Sequence, residues 1–209
     1  MSGFNLDCVA CPRLAEFLAD VRTQYPDYHA RPVAAFGDEN PDVLIVGLAP
    51  GMHGANATGR PFTGDFAGVL LYETLHNTGF ANQSESTHVD DGLQLTNCRI
   101  TNAVKCLPPQ NKPVGAEITQ CNAFLREELL ALKGAKVLIA LGSIAHNATL
   151  KALGIKQSTC KFGHGNEHLL DGGFTLIDSY HCSRYNTQTK RLTEPMFRQV
   201  FERAKQLIT

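Results

Sequence analysis

Short apolar segments alternate along this chain with longer amphipathic ones, and this alternation restricts the fold more than any other feature. Segments typical of buried strands cover residues 42–48, 98–104, 136–141 and 174–180. Helical periodicity covers residues 12–24, 66–78, 116–132, 143–153 and 195–208. Strands that alternate with helices form a parallel sheet with helices on both faces. The sequence therefore predicts an α/β protein, a three-layer α/β/α sandwich around a central, mostly parallel four-stranded sheet.

Length and composition limit the class of protein. The chain has 209 residues, of which 43% are hydrophobic and 19% charged, so it can bury a core without disulfides and is not a disordered chain. We expect a single domain over residues 1–209. The first residues lack the basic and apolar regions of a signal peptide, and no apolar run reaches the length of about 18 residues that spans a bilayer. These absences predict a cytoplasmic protein that does not bind membranes.

The formal net charge of −1 conceals an uneven distribution. Residues 1–95 contain four Arg, no Lys and twelve Asp or Glu, a net charge of −8, whereas residues 96–209 have a net charge of +7. Either the two halves mix on the folded surface and cancel, or one face is basic and binds a polyanion. With the motifs described below, we predict a basic stripe along a crevice and acidic groups mostly on the far side.

Seven cysteines are present, and structural disulfides are rare in the cytoplasm, so metal-binding or reactive thiols are favoured. Cys8 and Cys11 form a C-x2-C motif, and Cys106 and Cys121 flank a loop of fourteen residues. These four thiolates would suffice for a zinc ion or an iron–sulfur cluster; the alternative is a set of scattered reduced thiols. The remaining three are interpreted as core or surface residues: Cys98, Cys160 and Cys182.

Glycine-rich or polar segments follow the predicted strands. Ligands of parallel sheets gather beyond the carboxyl ends of the strands, so we expect four segments to meet in one crevice: residues 47–65, the segment after Ala103, Gly142-Ser143, and the segment from His181. The first, GLAPGMHGANATGRPFTGD, contains five glycines, which either let backbone N–H groups approach an anion or make the loop flexible. Within it, Phe62 is a core residue or a stacking platform, and Asp65 can cap the following helix.

The other strand ends carry side chains suited to recognising a ligand. Asn102 follows apolar residues, and its amide either bonds the backbone or reads the edge of a ligand. The backbone amides near Ser143, at a helix start, favour a phosphate. His181 is either a satisfied core histidine or an acid–base or electrophilic group. The basic, hydroxyl-rich segment after it is typical of a phosphate-contacting loop.

Three of these motifs together closely resemble one family. GLAPGMHGANATGRPFTGD, ITNAVKC with PPQNKP, and SYHCSRYNTQT are similar in order and spacing to the type-B, or family-5, uracil-DNA glycosylases, which are iron–sulfur proteins. The resemblance spans nearly the whole chain, from Cys8 to the last helix. It implies a monofunctional DNA-repair glycosylase that flips out uracil, and other deaminated bases such as hypoxanthine, and hydrolyses the N-glycosidic bond to leave an abasic site.

The resemblance also implies roles for individual residues. The cluster cysteines are matched by Cys8, Cys11, Cys106 and Cys121, which favours a 4Fe–4S cluster over zinc. In the base pocket Phe62 would stack on the flipped base and Asn102 would read its edge. The same pocket is expected to include Gly47, Ala49 and His53. Phosphate contacts and insertion into the duplex are assigned to Gly51, Ser143, Ser183, Arg184, Tyr185, Asn186 and Thr187.

The catalytic groups implied by the resemblance differ from those of the wider superfamily. Related families carry Asn, Asp or Glu inside the first motif to position the attacking water, whereas GLAPG offers none of these. Their absence is the type-B pattern, in which Asp65, with help from Asn111, handles the water. His181 matches the histidine that donates to a carbonyl oxygen of the base.

The resemblance implies double-stranded DNA as the partner, with single-stranded DNA as a further substrate, and a monomer that associates with the nucleoid through DNA. Two other interpretations stay open at this point. One is a non-catalytic iron–sulfur module that binds DNA with the same fold. The other is a uracil-restricted type-A, or family-4, glycosylase, which is less favoured because that class has an acidic residue within its first motif.

Overall fold

The sheet has six strands rather than the four expected. In the computed structural model, which describes residues 4–132, 134 and 136–209, the strand order is β1-β3-β2-β4-β6-β5. The strands are β1 Phe36–Gly37, β2 Val43–Gly47, β3 Cys98–Asn102, β4 Val137–Leu141, β5 Glu167–Leu169 and β6 Thr175–Ser179. The four central strands are parallel, and β1 and β5 add antiparallel edges. The mostly parallel core is confirmed, and the predicted strand count is corrected from four to six.

The two edge strands are too short to be recognised in the sequence. β1 has two residues and β5 has three, and Leu169 of β5 is 84% exposed. Such strands lack the continuous apolar run of a strand buried on both faces. Their pairing with β3 and β6 is a property of the assembled sheet.

Seven α-helices lie within the described residues. They are α1 Pro12–Gln24, α2 Ala55–Thr58, α3 Phe66–Asn77, α4 Gly115–Ala131, α5 Ser143–Ala152, α6 Arg184–Gln188 and α7 Glu194–Ile208. The five long helices confirm the predicted ones to within one residue at each end. Asp65 and Thr193 cap α3 and α7, because their side-chain oxygens accept the backbone N–H groups of Gly68 and Met196.

Side chains of the parallel strands alternate between two apolar cores. Val43 and Ile45 of β2 face α3 and α7, whereas Leu44 and Val46 face α4 and α5. Because successive strand residues point to opposite faces, both faces of the sheet are covered by helices. The three-layer α/β/α architecture is therefore confirmed.

The position of β2 creates the crevice. β2 lies between β3 and β4, so the chain leaves its carboxyl end toward one neighbour and later crosses to the other, an arrangement that opens a ligand site beyond the strand ends. In the part of the chain that the structure describes, no helix has the length and apolar character needed to cross a membrane. The prediction that the chain lacks a signal peptide falls partly on residues 1–3, which lie outside the described residues.

Candidate active site

A cavity of about 460 Å³ lies at the carboxyl ends of the parallel strands. All four segments expected at the crevice contribute to its lining, as the topology predicts. Ten of the residues proposed from the sequence line it: Ala49, Gly51, Phe62, Asp65, Asn102, Asn111, Ser143, His181, Ser183 and Asn186. The volume is within the usual range for a site that encloses a small organic group.

Phe62 forms one face of the cavity and is held there firmly. Its side chain is 6% exposed, its backbone φ is +55°, and its ring stacks near that of His181 with centroids 5.9 Å apart. The Tyr72 hydroxyl donates a 2.6 Å hydrogen bond to the carbonyl oxygen of Pro61. A left-handed backbone at a phenylalanine is unfavourable unless its surroundings impose it, so the structure fixes this ring as a preformed stacking surface.

A buried ion pair supports the Phe62 segment from behind. The Arg60 guanidinium lies 2.5 Å from Asp91, and the two side chains are 4% and 7% exposed. Arg60 also donates to Thr63 and Ser86. These bonds attach the segment around Phe62 to the loop that precedes β3. Sequence reasoning did not identify Arg60 or Asp91, because the partners are thirty-one positions apart.

Asn102 presents an unsatisfied oxygen at the cavity. The residue is 3% exposed, and its Oδ1 atom is buried without a hydrogen-bond donor in the described part of the chain. A buried acceptor without a partner costs on the order of 1–3 kcal/mol. Asn102 is therefore suited to a ligand that supplies an N–H group.

Glycines in the first motif make room for functional side chains. A Cβ at Gly47 would collide with Asn102 Oδ1 and lie 2.8 Å from the Phe62 ring, and one at Gly54 would lie 2.5 Å from Asp65 Oδ2. Neither of the two sequence interpretations, an anion-binding backbone or a flexible loop, included this function. Gly47 is buried behind Asn102 and Phe62 and does not itself line the cavity.

The two carboxylate oxygens of Asp65 have different surroundings: one accepts a helix-capping hydrogen bond, and the other lies beside glycines of the first motif. Oδ1 accepts the 2.9 Å hydrogen bond from the Gly68 N–H that caps α3, while Oδ2 lies beside Gly51 and Gly54. Burial raises the pKa of Asp65, against the lowering effect of the backbone N–H groups. The helix cap thus orients a desolvated carboxylate at the cavity.

His181 is a neutral imidazole in this setting. Burial lowers its pKa to about 4, so neutral His181 can offer an N–H group to an oxygen without carrying a charge. The Asn186 side-chain amide donates a 2.8 Å hydrogen bond to the His181 carbonyl oxygen. Asn186 therefore holds the backbone of His181 in addition to lining the cavity.

Several residues proposed from the sequence lie away from the cavity lining. His53 is exposed, and its Nδ1 atom lies 2.9 Å from the Tyr28 hydroxyl, so the structure does not bring it to the base pocket as expected. Arg184, Tyr185 and Thr187 lie on α6, a short helix where a loop was expected. Tyr185 is 70% exposed, which is compatible with contact to DNA outside the cavity.

Three lining residues with aromatic or charged side chains were not among the proposed site residues: Phe162, Tyr180 and Arg191. Tyr180 precedes His181 directly, and Arg191 lies in the basic segment after His181 that was expected to contact phosphate. Position in the chain was therefore the available signal for both. Phe162 lies on a segment attached to β6 through Asp178, whose buried carboxylate lies 2.6 Å from His146 Nδ1 and 3.2 Å from His168 Nε2. His146 also lies 2.9 Å from the Cys160 carbonyl oxygen through Nε2, so this group is a hydrogen-bonded support for the cavity wall.

The four expected metal-binding cysteines surround a second, small cavity between α1 and α4. Burial and the charges of Cys121, Cys8 and Cys11 raise the pKa of Cys106 to about 12. The backbone N–H of Lys105 donates a 3.2 Å hydrogen bond to Cys121 Sγ. Buried thiols that raise one another's pKa are unfavourable as free thiolates but suited to a shared metal centre.

An aromatic face beside an amide oxygen that has no donor among the described residues is suited to a planar heterocycle with a polar edge. Fold and cavity therefore define a class of α/β protein that binds an aromatic ligand beyond the carboxyl ends of its parallel strands, at the point where the strand order reverses. The chain belongs to the uracil DNA glycosylase superfamily, whose family model matches residues 34–205.

Individual relatives agree with this membership. The chain is 45% identical to the type-5 uracil-DNA glycosylase of Thermus thermophilus, over 96% of this chain and 93% of the relative. It is 41% identical to the type-5 enzyme of Pyrobaculum aerophilum, over 95% and 88%. A type-4 uracil-DNA glycosylase of the same archaeon is 30% identical over 84% of this chain and 81% of the relative. The chain is thus more similar to these type-5 relatives than to that type-4 relative.

Proposed function

We propose that this chain is a DNA-repair N-glycosylase that hydrolyses the bond between uracil and deoxyribose and leaves an abasic site without cutting the strand. The observation that carries the proposal is the buried Oδ1 of Asn102, which has no donor among the described residues and lies in the same cavity as the Phe62 ring. A base inside a duplex cannot reach this cavity, so the nucleotide must first rotate out of the stack. Phe62 then replaces the lost stacking on one side.

Asn102 reads the edge of the base. Its amide carries one acceptor and two donors, which complement the N3–H donor and the O4 acceptor of uracil. Cytosine presents an amino donor where uracil has O4, so the same amide orientation would leave groups unpaired. Because Gly47 has no Cβ, Asn102 and Phe62 can both occupy this corner of the cavity.

Asp65 and Asn111 act on the water and the sugar. Cleavage of the bond develops positive charge on deoxyribose, and a desolvated carboxylate nearby stabilises it, as in sugar glycosidases. Asp65 Oδ2 orients the attacking water and accepts its proton as the new C1′–O bond forms. Asn111 lines the same cavity and orients the water through its amide. The proton passes to the departing uracil anion, which leaves as neutral uracil.

His181 stabilises the leaving base. As the glycosidic bond breaks, negative charge accumulates on uracil, and a neutral imidazole N–H directed at a carbonyl oxygen binds it more strongly than it binds the ground state. Preorganised donors of this kind typically contribute on the order of 3 kcal/mol.

For the cysteine site we propose a 4Fe–4S cluster held by Cys8, Cys11, Cys106 and Cys121, with zinc as the alternative. When bound, the cluster crosslinks the segment before α1 to α4 and needs no redox change in the reaction. Purified protein is expected to be brown and to contain iron and inorganic sulfide. The Cys106→Ala variant should lose both, while the control Cys160→Ala, altered at a half-buried cysteine outside the site, should retain them. Colourless protein with stoichiometric zinc would contradict the proposal.

We also propose a broad base range, with double-stranded DNA as the main substrate, single-stranded DNA as a further one, and a monomeric enzyme. A cavity of about 460 Å³ with Ala49 in its lining leaves room for a purine such as hypoxanthine. Oligonucleotides carrying uracil, hypoxanthine or xanthine against each partner base, and as single strands, would be scored for alkali-labile abasic sites. Release of uracil alone would contradict the broad range and favour the uracil-restricted class.

Two substitutions test the catalytic assignment. Asp65→Ala and His181→Ala should each lower uracil release at least about tenfold with the fold retained, and His88→Ala at an exposed histidine serves as a control. Full activity in both variants would contradict the site assignment. A wild-type protein that binds a uracil-containing duplex but forms no abasic product would instead be a non-catalytic DNA-binding module.

A further inference from the structure

Arg184 and Arg191 have guanidinium groups that contact aromatic rings and no carboxylate among the described residues. By contrast, five other arginines lie within hydrogen-bond or ion-pair distance of a carboxylate: Arg13, Arg31, Arg60, Arg198 and Arg203. Arg191 instead lies over the Tyr180 ring, with Cζ 4.6 Å from its centroid, and Arg184 lies 5.0 Å from the centroid of Phe66. Neither has a carboxylate oxygen within 4.0 Å among the described residues.

An aromatic ring and a carboxylate position a guanidinium with different consequences. A carboxylate neutralises the positive charge and occupies the hydrogen-bond donors. A ring face attracts the cation through its quadrupole but leaves the charge and the N–H groups available. Tyr180 therefore places Arg191 while preserving its capacity to bind an anion.

The location of Arg191 indicates which anion it meets. Apart from the neutral His181, Arg191 is the one basic side chain among the described residues that line the cavity, and it is exposed, which places it at the mouth. When a base fills the cavity, the sugar and its flanking phosphates must lie at that mouth. Arg184, the first residue of α6, is also exposed.

We propose that Arg191, held by Tyr180, binds a backbone phosphate beside the flipped nucleotide, in addition to the phosphate contact already expected of Arg184. This inference rests on the proposed DNA glycosylase function. Asp65 is the acidic side chain among the described residues that line the cavity. The phosphate is therefore directed toward Arg191. The sugar, on which positive charge develops, is directed toward Asp65. Arg191 thereby orients the substrate in addition to attracting it.

The salt dependence of binding tests this contact. The probe is a fluorescein-labelled duplex with a tetrahydrofuran abasic-site analogue, titrated by anisotropy at several salt concentrations. Loss of one phosphate contact lowers the slope of log Kd against log salt by about 0.9. The ratio of the Kd of Arg191→Met to the wild-type Kd should therefore fall about 3.5-fold between about 50 and 200 mM salt. Arg198→Met, whose arginine pairs with Glu194 and Glu202 on α7, should leave the slope unchanged.

Variants of Tyr180 separate positioning by the ring from simple attraction. Tyr180→Phe keeps the ring and should retain the wild-type slope, whereas Tyr180→Leu should reduce it part of the way toward that of Arg191→Met. Thermal melting of each variant confirms that it is folded. If Arg191→Met and Arg198→Met give the same slope while the wild type releases uracil, the phosphate contact is wrong and the proposed function stands. A reduced slope in a protein that releases no base would retain the contact and overturn the function.

Discussion

Asp65 and Gly54 are matched so closely that a Cβ at position 54 would lie 2.5 Å from the Oδ2 atom of Asp65. The other carboxylate oxygen is engaged by the Gly68 N–H at the start of α3. The helix cap sets the position of the carboxylate, and the missing Cβ leaves space for its second oxygen. Two local features thus combine to expose one oxygen at the cavity.

Gly54→Ala should displace the Asp65 carboxylate and lower uracil release by about 10- to 100-fold, because misplacement of a catalytic group by about 1 Å costs rates of this order. Single-turnover kinetics on a uracil-containing duplex measure the effect. The matched control is Gly115→Ala at the start of α4, where a Cβ would meet no atom within 4 Å. Equal activity of the two variants would show that Asp65 does not need this space.

Asp65→Asn should abolish most activity and should not destabilise the protein at neutral pH. Burial raises the pKa of Asp65, so its contribution to stability is present below the usual pKa of about 3.9 and is lost as pH rises through the higher folded value. Asparagine retains the helix cap without the desolvated charge. The melting temperature of Asp65→Asn minus that of the wild type should therefore be larger at neutral pH than at acidic pH. A smaller difference at neutral pH would contradict this expectation.

The wild-type activity should also fall in acid at a pH above the usual aspartate pKa of about 3.9. Its cause is protonation of Asp65, whose pKa burial raises. His181, with a pKa lowered by burial to about 4, stays neutral from mildly acidic pH upward. Single-turnover rates across this range measure the effect, and an acidic limb centred near pH 6.5, the ordinary value for histidine, would indicate that His181 is not desolvated.

Asn102→Leu should lower uracil release by about 100-fold or more and leave the melting temperature equal or higher. The reason is that the buried Oδ1 atom has no donor in the described part of the chain, so an apolar side chain of similar size removes an unsatisfied acceptor. Calorimetry and product formation are measured on the same preparation. Clear destabilisation would indicate that Asn102 is bonded within the protein and is structural.

Arg60→Met should lower the free energy of unfolding by about 3–5 kcal/mol, because it leaves the buried Asp91 carboxylate without its partner. Although desolvation raises the pKa of Asp91, the Arg60 hydrogen bond and two backbone N–H groups hold it well below the usual range. The lost stability should therefore be present at neutral pH and shrink as pH falls below about 4. Urea unfolding at several pH values checks this, and the control is Arg198→Met on the surface of α7. A penalty that does not shrink in acid would mean that the ion pair is not its source.

The five long helices and the four parallel strands could be predicted because each has its own periodicity. The run from Val43 to Gly47 is buried at every position, and α7 has apolar side chains on one face. The edge strands β1 and β5 lack such a pattern, since their stability comes from pairing with β3 and β6. Likewise α6 has five residues, too few for a helical repeat to be recognised.

For the site, the order of apolar segments was enough to predict the strand ends and the residues they carry, and the motifs identified the superfamily that the family model confirms. The sequence could not show that His53 bonds Tyr28, that Gly54 makes space for Asp65, or that Arg191 lies over Tyr180. In each of these relationships the two residues are separated by more than ten positions in the chain. Periodicity and motifs report the neighbours of a residue along the chain, whereas burial, pKa and contact across the cavity depend on how separate segments pack together. These properties therefore follow from the folded arrangement of the chain and not from any one segment of it.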